Sequence, residues 1–102
     1  MHPSTVIAAV ALAAALPVTA FASQELATSK NCMACHSVDK KLVGPAYKDI
    51  AAKYKGDKAA AAQLSQSILK GSSGKWGPIP MPPNAVSDDE AQTLAKWVLS
   101  QK

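Results

Sequence analysis

The chain has 102 residues and a net charge of +4, and its length allows one domain at most. Aromatic residues make up 5% of it, too few for the stacking surface of a nucleic-acid binder. A disulfide between its two closely spaced cysteines would close too short a loop to stabilise the fold appreciably.

The N-terminal segment has the composition of a secretory signal. Residues 3–24 carry no charge, and the apolar run VIAAVALAAAL is followed by Pro17 and by the small-residue sequence AFA. This pattern predicts a signal peptide over residues 1–22, cleaved after Ala22 or, as the alternative, after Ala20, and export to the periplasm. Because the leading MHPST has neither Lys nor Arg, an uncleaved amphiphilic anchor is the alternative.

Residues 23–102 are predicted to form the folded domain, with four short helices and no strand. The first helix is expected over 23–30, with Ser23 as its N-cap. The second is expected over 44–56, because Pro45 suits the first turn of a helix and good helix formers follow it.

The third and last helices have the clearest end signals. Asp57 is the predicted N-cap of the third helix and Gly71 its stop. The last helix is predicted to begin at a capping box of Ser87 and Glu90. A stripe of apolar residues at helical spacing then faces the core: Ala91, Leu94, Ala95 and Val98.

Residues 71–86 separate these two helices. They are rich in Gly and Pro, which exclude a helix or a central strand. A loop of this length in so small a domain is expected to be functional. It contains Trp76, Met81 and Asn84.

The sequence NCMACH holds both cysteines, and Cys-x-x-Cys-His is the attachment signature of a c-type haem. If residues 32–36 form about one helical turn, the sulfurs of Cys32 and Cys35 face one side, where they can form thioether bonds to the porphyrin. The imidazole of His36 then points at the iron as a ligand. We therefore expect one covalently bound haem c with iron.

Three other interpretations of the motif compete. A thioredoxin-like dithiol belongs to a strand-helix-strand pattern that this chain lacks. A structural zinc site needs four ligands, and residues 23–102 offer only the two thiols and the imidazole of this motif. A purely structural role would leave the spacing unexplained. A haem would also enlarge a core that about 80 residues cannot build alone.

The sixth iron ligand decides between electron transfer and small-molecule chemistry. His36 is the only histidine after residue 22, so methionine is the remaining usual donor. Met33 lies between the attachment cysteines and cannot reach the other face of the ring, whereas Met81 can. Prolines on both sides of Met81 lower the entropy cost of ordering the loop. The alternative is that Met81 only fills space in the core.

The motifs CMACH, VGPAY, WGPIPMPPN and SDDEAQTLAKWVLSQK resemble those of the short bacterial class I cytochromes c, over about residues 25–102. The resemblance implies an all-α fold of four to five short helices around one haem, with the first and last helices crossing. It also implies a periplasmic one-electron carrier of the kind that donates to haem-cd nitrite reductase in denitrifying respiration, and no enzymatic activity.

Further residue roles follow from this resemblance. The Pro45 carbonyl would accept a hydrogen bond from His36. The Trp76 indole N–H would donate to a haem propionate, and the Asn84 amide would donate to the sulfur of Met81.

One position departs from the resemblance. Relatives have an arginine in the third helix where this chain has Ser67, whose hydroxyl brings no charge. We therefore expect the haem potential to depend more strongly on pH, unless Lys70 or Lys75 supplies the missing charge.

The charges are distributed unevenly along the chain. Most lysines precede residue 76, while Asp88, Asp89 and Glu90 lie together near the C-terminal helix. Such a pattern orients a protein toward an acidic partner. The expected partners are redox proteins, namely nitrite reductase, other cytochromes or oxidases, and copper proteins. We expect a monomer with no nucleic-acid binding and no stable membrane association.

Electrons would leave through a partly exposed haem edge, with Val43, Ile79 and Pro82 at its rim. The alternative function is a small haem peroxidase or a gas-binding haem protein, which would require Met81 to dissociate readily.

Overall fold

The computed structural model describes residues 18–102, with side chains from Ala22 onward. The predicted signal peptide lies outside the described residues except for its last five positions. The elements in chain order are helix α1 (Val18–Ser29), a 3-10 turn (Cys32–Ala34), and helices α2 (Tyr47–Lys53), α3 (Ala60–Lys70) and α4 (Asp88–Leu99). Within this part of the chain there is no strand, only an isolated antiparallel bridge between Ser72 and Met81. The all-α prediction is confirmed.

Helix α1 begins earlier than predicted. It starts at Val18, and Ser23 is a buried residue inside it rather than its N-cap. Residues 18–22 contain no Gly or Pro that would end a helix, so the backbone stays helical through Ser23. The N-cap prediction is therefore wrong for this chain. Of the helices in the described part, none is long and apolar enough to span a bilayer.

Helices α2 and α3 begin later than predicted. α2 starts after Ala46, so Pro45 lies just outside it. Asp57 does not cap α3, because its Oδ1 accepts a hydrogen bond from the backbone N–H of Ala59 at 2.9 Å and closes a turn that precedes the helix. Asp57 therefore stabilises a turn before α3 and is not the N-cap of that helix.

The predictions that α3 stops at Gly71 and that α4 begins at a capping box are confirmed. Gly71 follows the last residue of α3 with a φ of 86°, a conformation that favours glycine. At the start of α4, Ser87 Oγ accepts from the Glu90 backbone N–H at 3.1 Å, and the Glu90 carboxylate accepts from the Ser87 N–H at 2.9 Å. This capping box fixes where residues 72–86, which we call the Met81 arm, rejoin a helix.

The core lies on α4, which contacts α1, α2 and α3. All four residues of the predicted stripe are buried, and Trp97 is buried with them. Leu94, Trp97 and Val98 form one cluster with Ala27 of α1 and with Tyr47 and Ile50 of α2. Side chains of this kind each contribute about 1.5–3 kcal/mol when fully buried, so α4 fixes the positions of the other helices.

Candidate haem site

A cavity of about 470 Å³ lies between α3, α4, the Cys32–His36 segment and the Met81 arm. This volume is within the range of about 300–1,000 Å³ that is typical of ligand sites. All the residues that the sequence singled out for the haem line it: Cys32, Cys35, His36, Pro45, Trp76, Met81 and Asn84. The fold thus brings two distant parts of the sequence to one cavity.

The two cysteines lie on one turn of the chain. The backbone N–H groups of Cys35 and His36 both donate to the Cys32 carbonyl, at 3.3 and 3.0 Å. Asn31, with a φ of 62° in the left-handed region, introduces the turn. Both thiols are free. Burial raises the pKa of the Cys32 thiol, which is opposite to the activated thiolate of a dithiol oxidoreductase.

The imidazole of His36 is fixed by its hydrogen bond. His36 Nδ1 lies 2.7 Å from the carbonyl oxygen of Pro45, the contact that the resemblance implied. Since a carbonyl oxygen can only accept, Nδ1 is the donor, and Nε2 is the nitrogen left to bind iron. This is the tautomer that a metal-binding histidine needs.

Two further residues hold the His36 ring, and the sequence reasoning assigned a role to neither. A Cβ at Gly44 would lie 2.5 Å from His36 Cε1, so only glycine allows this approach. Tyr47 stacks on the imidazole with ring centroids 5.0 Å apart, and it meets Trp97 edge-on at 5.2 Å. Burial raises the pKa of Tyr47 far above its ordinary range, so its phenol stays neutral. The motif VGPAY contains both residues, but its spacing does not reveal their contact with the ring.

Met81 is positioned by the backbone at the base of its arm. Its N–H donates to the Ser72 carbonyl at 2.8 Å, and the Ser72 N–H donates back to the Met81 carbonyl at 3.0 Å. Gly71 makes this approach possible, because a Cβ there would lie 2.7 Å from the Met81 carbonyl oxygen. The bridge therefore closes the arm at its base, and the capping box joins its other end to α4.

Asn84 makes a different contact from the one implied. Its Nδ2 donates to the Ile68 carbonyl at 2.9 Å, and its backbone N–H donates to the same oxygen at 3.1 Å. Among the hydrogen bonds of the described residues, none joins Asn84 to the Met81 sulfur. The physical reason is that Ile68 is in the last turn of α3, where carbonyls lack a helical partner, and a carbonyl is a stronger acceptor than a thioether.

The ammonium group of Lys53 lies next to Trp76, which lines the cavity. The indole is 36% exposed, and Lys53 Nζ lies 4.5 Å from its ring centroid. Ser67 and Lys75 line the cavity, whereas Lys70 is not among its lining residues. No sequence pattern predicts the contact between Lys53 and Trp76, because nothing in the sequence pairs α2 with the Met81 arm.

The residues fit a porphyrin better than a bare metal ion. Among the described residues there is no group of three or more His, Cys, Asp or Glu that could hold a metal ion. The zinc interpretation therefore has no support. In a c-type haem the two sulfurs and the nitrogen bind different atoms of the cofactor, as the separate placement of these side chains requires.

Comparisons with known proteins agree with this geometry. The profile of the cytochrome c family matches residues 22–102. The chain is 58% identical over 104 residues to cytochrome c-551 of Pseudomonas aeruginosa, with both chains fully covered. It is 55% identical to cytochrome c-552 of Hydrogenobacter thermophilus, over 80% of this chain and 84% of that one. The crystal structure of wild-type Nitrosomonas europaea cytochrome c552 superposes with a TM-score of 0.75 at 56% identity, covering 78% of this chain and 99% of the other.

The chain belongs to the cytochrome c family, as a small class I member with one covalently bound haem c. It is an electron carrier rather than an enzyme, like the cytochromes c-551 and c-552 that it matches. When bound, the haem supplies a one-electron ferrous/ferric couple.

Proposed function

We propose that this cytochrome is a periplasmic one-electron carrier whose iron is bound by His36 Nε2 and the Met81 sulfur. The observation that carries the proposal is that both residues line one cavity, each in a fixed backbone setting. His36 and Met81 would together hold the iron, so that no ligand exchange would accompany its one-electron couple, and the Met81 thioether would raise the potential.

The other residues of the site have supporting roles in this proposal. Cys32 and Cys35 form the two thioether bonds, and Pro45 keeps the imidazole in the required tautomer. Trp76 donates its indole N–H to a propionate. Asn84 would support the Met81 arm through its 2.9 Å hydrogen bond to the Ile68 carbonyl.

An exposed apolar rim supports electron exchange at the haem edge. Leu42, Val43 and Ile79 are 49%, 52% and 62% exposed, and Lys41 and Lys75 also line the cavity. Apolar side chains with lysines among them suit a brief contact with a redox protein that has an acidic rim. Contacts of this kind are small and short-lived. Haem-cd nitrite reductase is our first candidate partner, followed by other cytochromes, oxidases and copper proteins.

The ligand assignment is tested by replacing each of two methionines with leucine. Met81→Leu should change the absorption spectrum, lower the reduction potential and allow carbon monoxide to bind the reduced protein. Met33→Leu is the matched control and should do none of these. If wild-type protein binds carbon monoxide rapidly, or if Met81→Leu leaves the spectrum unchanged, the Met81 assignment is wrong and a gas-binding or peroxidase function is favoured.

Periplasmic export is tested by the mass of the mature protein. Cleavage after Ala22 would leave Ser23 as the first residue and remove the part of α1 that precedes it. The expected mass is that of residues 23–102 plus one haem. A membrane-bound product that retains residues 1–22 would instead support the uncleaved anchor.

The partner is tested by mixing the reduced protein with haem-cd nitrite reductase. Electron transfer should be fast at low ionic strength and should slow as salt screens the lysines. An oxidised copper protein that is reduced faster by the cytochrome under the same conditions would replace nitrite reductase as the candidate.

A further inference from the structure

The outer part of the Met81 arm, residues 73–80, is exposed and weakly tied to the rest of the protein. Half of its eight residues are Gly or Pro. Within the described residues, no hydrogen bond or ion pair involves this outer part, because the bridge at its base joins Ser72 to Met81. Something other than hydrogen bonding must keep it against the cavity.

Lys53 makes the contact that joins this outer part to the body of the protein. Its Nζ lies 4.5 Å from the centroid of Trp76 and 5.7 Å from that of Tyr54, both within the range of a cation–π interaction. Lys53 is the last residue of α2, where the helix dipole favours a cation. The ion pairs of the described residues do not include it, so its charge faces the aromatic rings without a carboxylate partner.

The packing of helix α2 in the core fixes the position of the Lys53 backbone. Tyr47 and Ile50, on the same helix, are buried in the core cluster, and Tyr47 also stacks on His36. The helix that positions the imidazole therefore also positions the cation under Trp76. Trp76 lines the cavity, whereas Lys53 is not among its lining residues, so Lys53 acts on the cavity from behind the indole ring.

We propose that Lys53 is a positioning residue that holds Trp76, and with it the outer part of the Met81 arm, against α2, and that its charge raises the haem reduction potential. The role expected of Lys70 or Lys75 would then belong to Lys53. The proposal rests on the proposed function only in assuming that the haem occupies this cavity.

Both effects of Lys53 act in the same direction. A nearby positive charge favours the ferrous haem, which carries one positive charge less than the ferric form. An arm that keeps water from the haem edge has the same effect, since water stabilises the more highly charged ferric state. Loss of the contact should therefore lower the potential. An exposed cation–π contact corresponds to about a two- to fivefold change in an equilibrium.

The test compares Lys53→Met with Lys55→Met in the haem-loaded protein at low ionic strength. Both substitutions remove one charge near the end of α2, but Lys55 makes no cation–π contact among the described residues. Lys53→Met should shift the ferrous/ferric equilibrium about two- to tenfold toward ferric, tenfold being about 59 mV. Lys55→Met should produce less than half of that shift, and Lys53→Arg should retain the wild-type potential.

Hydrogen exchange provides the second measurement. Amide exchange at Ser72 and Met81, whose N–H groups are hydrogen-bonded across the base of the arm, should rise about two- to fivefold in Lys53→Met and stay at the wild-type rate in Lys55→Met. In a Trp76→Leu background, Lys53→Met should have no larger effect than Lys55→Met.

Equal potential shifts in the two lysine variants would overturn the proposal, as would wild-type exchange rates in Lys53→Met. Failure of the Met81 assignment would be recognised separately, because it appears in the spectrum of Met81→Leu. Arm exchange in Lys53→Met does not depend on which ligand binds the iron.

Discussion

His36 and Met81 line the same cavity, but the chain holds them in different ways. The imidazole is in contact on several sides, with a hydrogen bond to Pro45, a stacked Tyr47 and the Gly44 backbone against its edge. Met81 is held by two backbone hydrogen bonds to Ser72 at the base of an arm whose outer part is exposed. The first residue is fixed by packing, and the second by the closure of a loop.

This difference determines which substitutions should disturb His36 and which should disturb Met81. Near His36, added volume has no space to enter, so steric changes should dominate. On the Met81 arm, changes at the exposed outer part should cost little, while changes at the ends should move the methionine. The following substitutions test this contrast.

Gly44→Ala should have the largest effect. The new Cβ would lie 2.5 Å from Cε1 and 2.9 Å from Nδ1 of a ring that cannot move away without losing Pro45. We expect a loss of about 3 kcal/mol in the free energy of unfolding, measured with guanidinium on the haem-loaded protein, and an altered absorption spectrum.

Gly56→Ala is the control for this substitution. Gly56 has a positive φ but no atom within 4 Å of the added Cβ, so its replacement should cost about 1 kcal/mol and leave the spectrum unchanged. Equal effects at the two glycines would mean that His36 is not tightly packed.

Gly71→Ala should have the next largest effect, on the arm. The variant would combine a φ of +86° with a contact of 2.7 Å to the Met81 carbonyl, and we expect a loss of about 2 kcal/mol together with a lower reduction potential. Gly74→Ala is matched in φ, at +79°, with nothing within 4 Å. It should cost about 1 kcal/mol and leave the potential unchanged. A similar change in potential for both would show that the base of the arm is not what positions Met81.

Asn84→Ala tests the hydrogen bond that replaced the expected contact with sulfur. Removing the 2.9 Å bond to the Ile68 carbonyl should cost about 1 kcal/mol, while the backbone N–H of residue 84 still reaches that oxygen. The potential should change little, because the hydrogen bonds described for this side chain do not include the thioether. A large change in potential with unchanged stability would favour the sulfur contact instead.

The smallest effect is expected from protonating Glu90, at the far end of the arm. The hydrogen bond from the Ser87 backbone N–H, and to a lesser extent Lys30, lowers the pKa of Glu90 below its ordinary value of 4.5. The folded protein therefore binds this proton less readily than the unfolded chain. The stabilisation is present above pH 4.5 and is lost as the pH falls through the lower, folded-state pKa.

The measurement compares unfolding midpoints of wild type and Glu90→Gln between pH 6 and pH 3. The difference between the two proteins should shrink as the pH falls. A difference that stays constant would show that the carboxylate charge contributes nothing to the cap.

Much of the fold and site could be predicted because the signals are local. The capping box, the stop at Gly71 and the turn carrying Cys32 and Cys35 each depend on residues within a few positions of one another. The cavity residues followed from the chemistry of haem attachment and from a resemblance that extends over most of the chain.

The remaining features depend on contacts that the sequence does not encode locally. The closeness of Gly44 to His36 and of Lys53 to Trp76 arises only when the helices are packed. The bond from Asn84 to the Ile68 carbonyl likewise depends on how the arm packs against the end of α3, and the bond to the Met81 sulfur that the resemblance implies stays a prediction. Ser23 has the residue type of an N-cap, but it lies inside α1 because the residues before it are also helical.

The two hydrogen bonds between Ser72 and Met81 also allow the surface of the outer arm to evolve separately from the position of Met81. Lengthening a flexible loop costs only about 0.6 kcal/mol for each doubling, and a closed base keeps such changes from reaching the methionine. Surface residues beyond this closure, Trp76 apart, can diverge to suit new partners while Met81 keeps its position.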